Sequence, residues 1–404
     1  MRIKSIVTIL LIIPSLHSLA YEIGPSVLGF DPVHQAITLY ALDCLDERSP
    51  AAPENCLKPI EDCMRKLDRK ETAENCISGT RKEKMFLGKY SPEELAYATR
   101  WPDDPTEETG FRGGAKFGIK MKLKCEEILD KQKQLNISNG LLCNSHFGEF
   151  QFWHAQASTV NETAEVTRNK IFGWAEFNYN VALGNIAPDK GYCEYFDEHP
   201  SSISGIMKPD TFPYCNDRLY WGFLPEFIVK PYPGYDIATL YGMKCKNPFS
   251  SKTCSEDRIN NAEERRKKTV LSATGALLHL VQDSFSQSHA ERGRCFQNFL
   301  MNGKRLPVSK IECKPITMFT NYAYYDANSQ SVSSQKDHDM SDSWPYIAES
   351  CFSKERVVDD PITASSKILW HISHRSSWAD VKKDLLLVFN EMPGKTISGR
   401  GACY

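Results

Sequence analysis

The chain has 404 residues, 41% of them hydrophobic, with 49 basic against 51 acidic residues for a net charge of −2. That balance argues against a nucleic-acid coat protein or a polybasic membrane anchor, both of which need a cationic excess. The apolar content suffices for a folded core; the length allows about two domains, but no low-complexity linker divides it.

In chain order, residues 1–20 read as a secretory leader. Arg2 and Lys4 form a basic start, Ile6–Leu16 an apolar run broken by Pro14, and Ser18-Leu19-Ala20 a small-x-small cleavage site. The run is too short to span a bilayer, and no later stretch approaches about eighteen apolar residues. The expected product is an exported chain, 21–404, that begins at Tyr21 and has no transmembrane segment. Loss of Arg2 and Lys4 takes its net charge from −2 to −4. All 14 cysteines follow the cleavage site, and no Cys-x-x-Cys occurs. An even count in an exported chain favours disulfides over a zinc ribbon.

Phe30–Leu45 is predicted as a first helix, with Asp31 as N-cap, Pro32 in the first helical position and His34 in the first turn. Cys44–Glu83 reads as short helices stapled by disulfides. Ser91-Pro92-Glu93-Glu94 is a capping box that opens Pro92–Arg100. Trp101-Pro102-Asp103-Asp104-Pro105 then stops it and sets Asp103 and Asp104 on a rigid turn. Lys120–Gln134 is a further predicted helix. Ser145–Ser158 mixes aromatics with His146 and His154. Asn161 or Thr163 opens a long amphipathic helix to Leu183, closed by Gly184 and Pro188. Gly191–Asp257 reads as ordered loop and Gly303–Ser341 as irregular chain. Asn260–Phe285 is the central helix, and Ile362–Trp370 and Ser377–Met392 are closing helices. Strand alternation is nearly absent, so the fold class is mainly α.

His279 and Asp283 are four apart and share one face of the central helix. His289 follows six residues after Asp283. In a continuous helix it would stand roughly 240° off that face, so either the helix ends first or His289 serves another centre. His338 and Asp342 repeat the His-x-x-x-Asp unit. Imidazole suits zinc, and an aspartate can ligate or bridge ions. A buried histidine paired with an aspartate for packing is the alternative for any single such unit. His199 reads as a surface loop residue, and His371 and His374 as packing or surface residues.

The set His279-x-x-x-Asp283-x5-His289, then His338-x-x-x-Asp342, with His34 in an early helix, Trp101-x-Asp103 and an aromatic-flanked histidine near position 150, resembles the superfamily of zinc-dependent phospholipases C and single-strand-specific zinc nucleases. The stretch FGEFQFWHAQAS looks most like secreted bacterial phospholipases C active on phosphatidylcholine. The resemblance implies a helical bundle, here disulfide-stapled with long irregular loops, holding up to three zinc ions. One ion would take Asp103, His154 (or His146) and His279. Asp283 would bridge it to a second, held by His34 and the amine and carbonyl of Tyr21. The third would take His289, His338 and Asp342. The implied activity is hydrolysis of phospholipid at a membrane surface to diacylglycerol and a phosphorylated head group, with Asp103 as the catalytic residue. Lipid degradation, virulence and an extracellular location, with a periplasm as one route to it, come with that resemblance; nucleic acid is not an expected partner. Two alternatives stay open: a nuclease on the same scaffold, and a non-catalytic secreted binding protein stabilised by zinc. Aromatics in Phe147–Trp153 and Tyr214–Tyr235 could line a cleft for lipid or a choline-type cation, or simply fill the core.

Overall fold

A computed structural model describes residues 33–45, 85–103, 105, 141, 144–146, 148–159, 162–208, 236–241, 262–286, 289–292, 316–321, 361–390 and 397–399. The described part is mainly helical. Its elements in chain order are α1 (Val33–Cys44), α2 (Pro92–Ala98), a 3₁₀ helix (Glu149–His154), α3 (Ala164–Ala182), α4 (Tyr192–Glu198), α5 (Ser204–Met207), α6 (Ile237–Leu240), α7 (Ala262–Asp283), β1 (Ala290–Arg292), β2 (Ile316–Thr320), α8 (Pro361–Ser373), α9 (Trp378–Val388) and β3 (Ile397–Gly399). No described helix is long and apolar enough to cross a membrane.

α7 is the axis of the bundle. Its first turns carry Glu263, Glu264, Arg265, Arg266, Lys267 and Lys268, whereas every residue from Ala273 to Asp283 is buried. A helix apolar on all sides must be surrounded, and α7 packs against α1, α2, α3 and α8. The same winding that hides Leu277, Leu278, Leu280 and Val281 therefore carries His279, Gln282 and Asp283 into the interior.

The caps follow local chemistry. Ser91 accepts from the Glu94 N–H, and Glu94 accepts from the Ser91 N–H, a complete capping box. Thr163 caps α3 by accepting from the Val166 N–H, and Gly184 follows its end with φ +73°. Ser377 caps α9. Three findings sharpen the sequence reading. Within 191–257 the chain forms α4, α5 and α6, which at four to seven residues are too short to show a helical period. Within 303–341, Ile316–Thr320 forms a strand, antiparallel to β1 and parallel to β3. Of the two alternatives for the first aromatic stretch, Phe150, Phe152 and Trp153 follow the core-filling one. They are fully buried, and Trp153 stacks on Trp174 at 4.5 Å and on Trp101 at 5.1 Å, because flat rings gain most by filling the space between α2, α3 and the 3₁₀ helix. The two described cysteines, Cys44 and Cys193, are not free thiols. The 120–134 helix and the 214–235 aromatics lie outside the described residues.

Candidate metal centre

Four elements deliver the site. α1 supplies His34, the turn after α2 supplies Asp103, the 3₁₀ helix ends on His154, and the last two turns of α7 supply His279 and Asp283. His289 follows α7 on the lead-in to β1, and His146 precedes the 3₁₀ helix. These seven side chains are 0–3% exposed. Two carboxylates at that depth are costly unless opposite charge or ligation compensates them.

α2 reaches α7 because of Gly275. A Cβ built there would stand 2.1 Å from the Ala98 carbonyl oxygen and 2.3 Å from its carbon. With hydrogen in place of Cβ, the end of α2 lies directly on α7. One turn further along α7, Nδ1 of His279 is 2.8 Å from the Thr99 carbonyl. A carbonyl can only accept, so Nδ1 carries the proton and Nε2 presents a lone pair to the interior. The same logic sets two more rings. Nδ1–H of His34 donates to Gln282 Oε1 at 2.6 Å, and Nδ1–H of His289 donates to the His154 carbonyl at 2.9 Å.

Four atoms form a cage: Asp103 Oδ1, His154 Nδ1, His279 Nε2 and Asp283 Oδ2. The edges from Asp103 to His154 and His279 are 3.7 and 3.5 Å. Those from His154 to His279 and Asp283 are both 3.0 Å, and His279 to Asp283 is 2.9 Å. Imidazole nitrogens and carboxylate oxygens this close together, among them His154, His279 and Asp283, could hold a metal ion. The second carboxylate oxygen of Asp283 faces elsewhere. Oδ1 lies 3.3 Å from His34 Nε2 and 3.8 Å from His289 Nε2, and makes no hydrogen bond among the described residues. The carboxylate thus divides its oxygens between two sets of nitrogens. In all, three overlapping groups of buried side chains could hold a metal ion: His34, Asp103 and His279; Asp103, His146 and His154; and His154, His279 and Asp283.

Ionisation favours the same ligation. Burial pushes His154 and His279 down to about 4, so both imidazoles are neutral at pH 7. Burial would raise the Asp283 carboxyl, but the His279 and His289 imidazoles beside it outweigh burial and hold it well below the usual range. His279 Nε2 thus faces a carboxylate oxygen at 2.9 Å with no proton of its own, two electron-pair donors that a shared cation reconciles.

The structure brings together His34, Asp103, His154, His279, Asp283 and His289. Tyr21, His338 and Asp342 lie outside the described residues. His146 and His154 are not exclusive: both rings reach Asp103, His146 Nε2 at 3.8 Å from Oδ1, but only His154 also touches His279 and Asp283. Gln282 is an anchoring residue, held by Thr38 and Ser365 through its amide nitrogen, and Ser284 donates to the Val281 carbonyl of its own helix. Thr99, Gly275 and Thr320 were not singled out in the sequence. Thr99 acts through its backbone carbonyl, which no residue type announces.

The other histidines divide. His199 is exposed and stacks on Tyr195, and His374 is exposed and stacks on Trp370. His371 has the acidic partner its neighbouring sequence did not suggest: its Nε2 is 2.7 Å from Asp384 on α9. Comparison with family models, with characterised proteins and with solved structures finds no match for the chain.

Proposed function

We propose that the protein is a secreted, disulfide-stapled zinc metallophospholipase C that hydrolyses glycerophospholipids, phosphatidylcholine foremost, to diacylglycerol and a phosphorylated head group. One observation carries the reading. Asp283 offers Oδ2 to a four-atom cage and Oδ1 to His34 and His289, the arrangement of a multi-ion hydrolytic centre rather than of a lone structural ion. Up to three zinc ions are expected, with His338, Asp342 and the amine of Tyr21 completing the outer positions. Zinc held there would polarise a phosphoryl oxygen and bring a water's pKa toward neutrality.

The chain's own residues have assignable tasks. Asp103, on its proline-bounded turn, would orient the attacking water and accept its proton. The water oxygen bonds to phosphorus, the bond from phosphorus to the glycerol oxygen breaks, and diacylglycerol leaves as the alcohol after taking a proton. Gln282, Thr99 and the His154 carbonyl fix three ring tautomers, so each of those rings turns a nitrogen lone pair toward the centre.

Burial of every cage residue is also what a closed structural ion would need, so a non-catalytic zinc protein is the second reading. Metal content of the purified exported protein, N-terminal sequencing and a diacylglycerol-release assay with and without chelator test the proposal. Zinc-dependent release is the expected result. Digestion of single-stranded DNA without lipid release would assign the nuclease reading instead. Bound zinc without any hydrolysis would assign the structural one.

A further inference from the structure

Three segments far apart in sequence meet at Thr320, the last residue of β2. Its backbone N–H and its hydroxyl both stand 3.0 Å from the His289 carbonyl and donate to it. Its own carbonyl accepts from the Ala157 N–H at 2.8 Å, and its hydroxyl accepts from Gln156 Nε2 at 3.0 Å. Asn321, next in the chain, donates to the Ala157 carbonyl at 2.6 Å. Thr320 is buried, so water does not readily substitute for these bonds. One residue therefore ties the segment behind His154 to the segment that carries His289. The His289 ring is also joined directly to the backbone of His154, since its Nδ1–H donates to the His154 carbonyl.

The consequence concerns how ions enter. His154 belongs to the cage with His279 and Asp283 Oδ2, whereas His289 faces Asp283 Oδ1. Between Glu149–His154 and Gln156 the backbone turns through Ala155, which holds φ +56°, a conformation that costs an alanine free energy and must be imposed by its surroundings. An ion that orders His154 also orders Gln156 and Ala157. Through Thr320 that ordering reaches His289 before a second ion binds, so the second binding step loses less conformational entropy.

We infer that Thr320 is a positioning residue that couples the two ion positions, making zinc loading cooperative. The inference rests on the reading above that His154 and His289 serve different ions. The test uses the full exported chain, stripped with chelator and titrated with zinc alone, with stepwise affinities read by native mass spectrometry and calorimetry. In the wild type, the second ion should bind at least about 5-fold more tightly once the first is present. Thr320→Val, which keeps the shape and removes the hydroxyl, should bring that factor toward one. Thr320→Ser should restore it, as loss of a merely packing methyl would not. Equal coupling in wild type and Thr320→Val, or independent sites in the wild type, would overturn the inference while leaving the metal centre intact. No zinc binding at all would overturn both. If Thr320→Val does not fold, Gln156→Met carries the test: a partial fall in coupling supports the link, and an unchanged factor overturns it.

Discussion

Two histidine–aspartate contacts in this molecule look alike at first and differ in what surrounds them. In one, His371 on α8 meets Asp384 on α9 at 2.7 Å, and Lys367 meets the other carboxylate oxygen at 2.8 Å. The charge is closed locally, and the trio staples two helices. In the other, Asp283 meets His34, His154, His279 and His289, with Asp103 facing the same space and no lysine or arginine paired with Asp283 among the described residues. A histidine beside an aspartate is therefore not the mark of a functional centre. Convergence of many electron-pair donors on one buried volume, with the far nitrogens of His34, His279 and His289 already committed to carbonyls, is.

The sharpest way to break this contrast is to neutralise each aspartate in turn. Asp283→Asn should lower zinc affinity and lipid turnover by at least ~100-fold, since it removes an oxygen shared by two positions; metal analysis and the release assay read this. Asp384→Asn should leave zinc content and turnover unchanged and cost about 1–2 kcal/mol of stability in denaturant melts, the usual scale for a lost, partly exposed charged contact. Equal effects of the two changes on metal binding would erase the distinction.

Acid should separate the two regions next. His154 and His279 have folded values near 4, below the ordinary 6.5. Between those values the unfolded chain binds more protons than the folded one, so the stability of the metal-free protein is complete above about pH 6.5 and falls as the pH drops toward 4. Protons also compete with the ion for the same nitrogens. Zinc release and loss of thermal stability should therefore coincide in that window, measured by metal analysis after equilibration and by melting curves. Asp283 stays ionised throughout, because its carboxyl is held well below the usual carboxylate range.

Packing gives a third handle. Gly275→Ala should push the end of α2 off α7, draw the Thr99 carbonyl away from His279 and weaken zinc binding by about 10–100-fold. Gly173→Ala, where the new methyl would meet the Ser202 hydroxyl at 2.6 Å and the Ile203 side chain, presses on groups that can rotate. It should cost about 1–3 kcal/mol, with zinc affinity retained. The smallest effect belongs to Gln282→Leu, which should weaken zinc about 10-fold at the His34 position alone, with Gln282→Glu recovering most of it by offering an acceptor again.

Several parts of this were legible in the chain and several were not. The helices that carry their own signals, the Ser91 capping box, Thr163 before α3 and the charged-then-apolar run of α7, appear where their residues put them. α4, α5 and α6 gave too few turns for a period, and Ile316–Thr320 is a strand because β1 and β3 flank it. Within the site, the spacing of His279 and Asp283 already placed both on one helical face. That His146 and His154 both reach Asp103 was not decidable, since the fold of the 3₁₀ segment settles it.

The sequence by itself determined which residues could ligate and which faces of the helices they share, because side-chain chemistry and the 3.6-residue period are local properties. Only the tertiary structure decided that residues 34, 103, 154, 279, 283 and 289 meet, which nitrogen of each anchored ring turns inward, and that Gly275 and Thr320 hold the segments in register. Those outcomes depend on backbone carbonyls and close approaches between segments up to 248 residues apart, and carbonyls are common to every residue type.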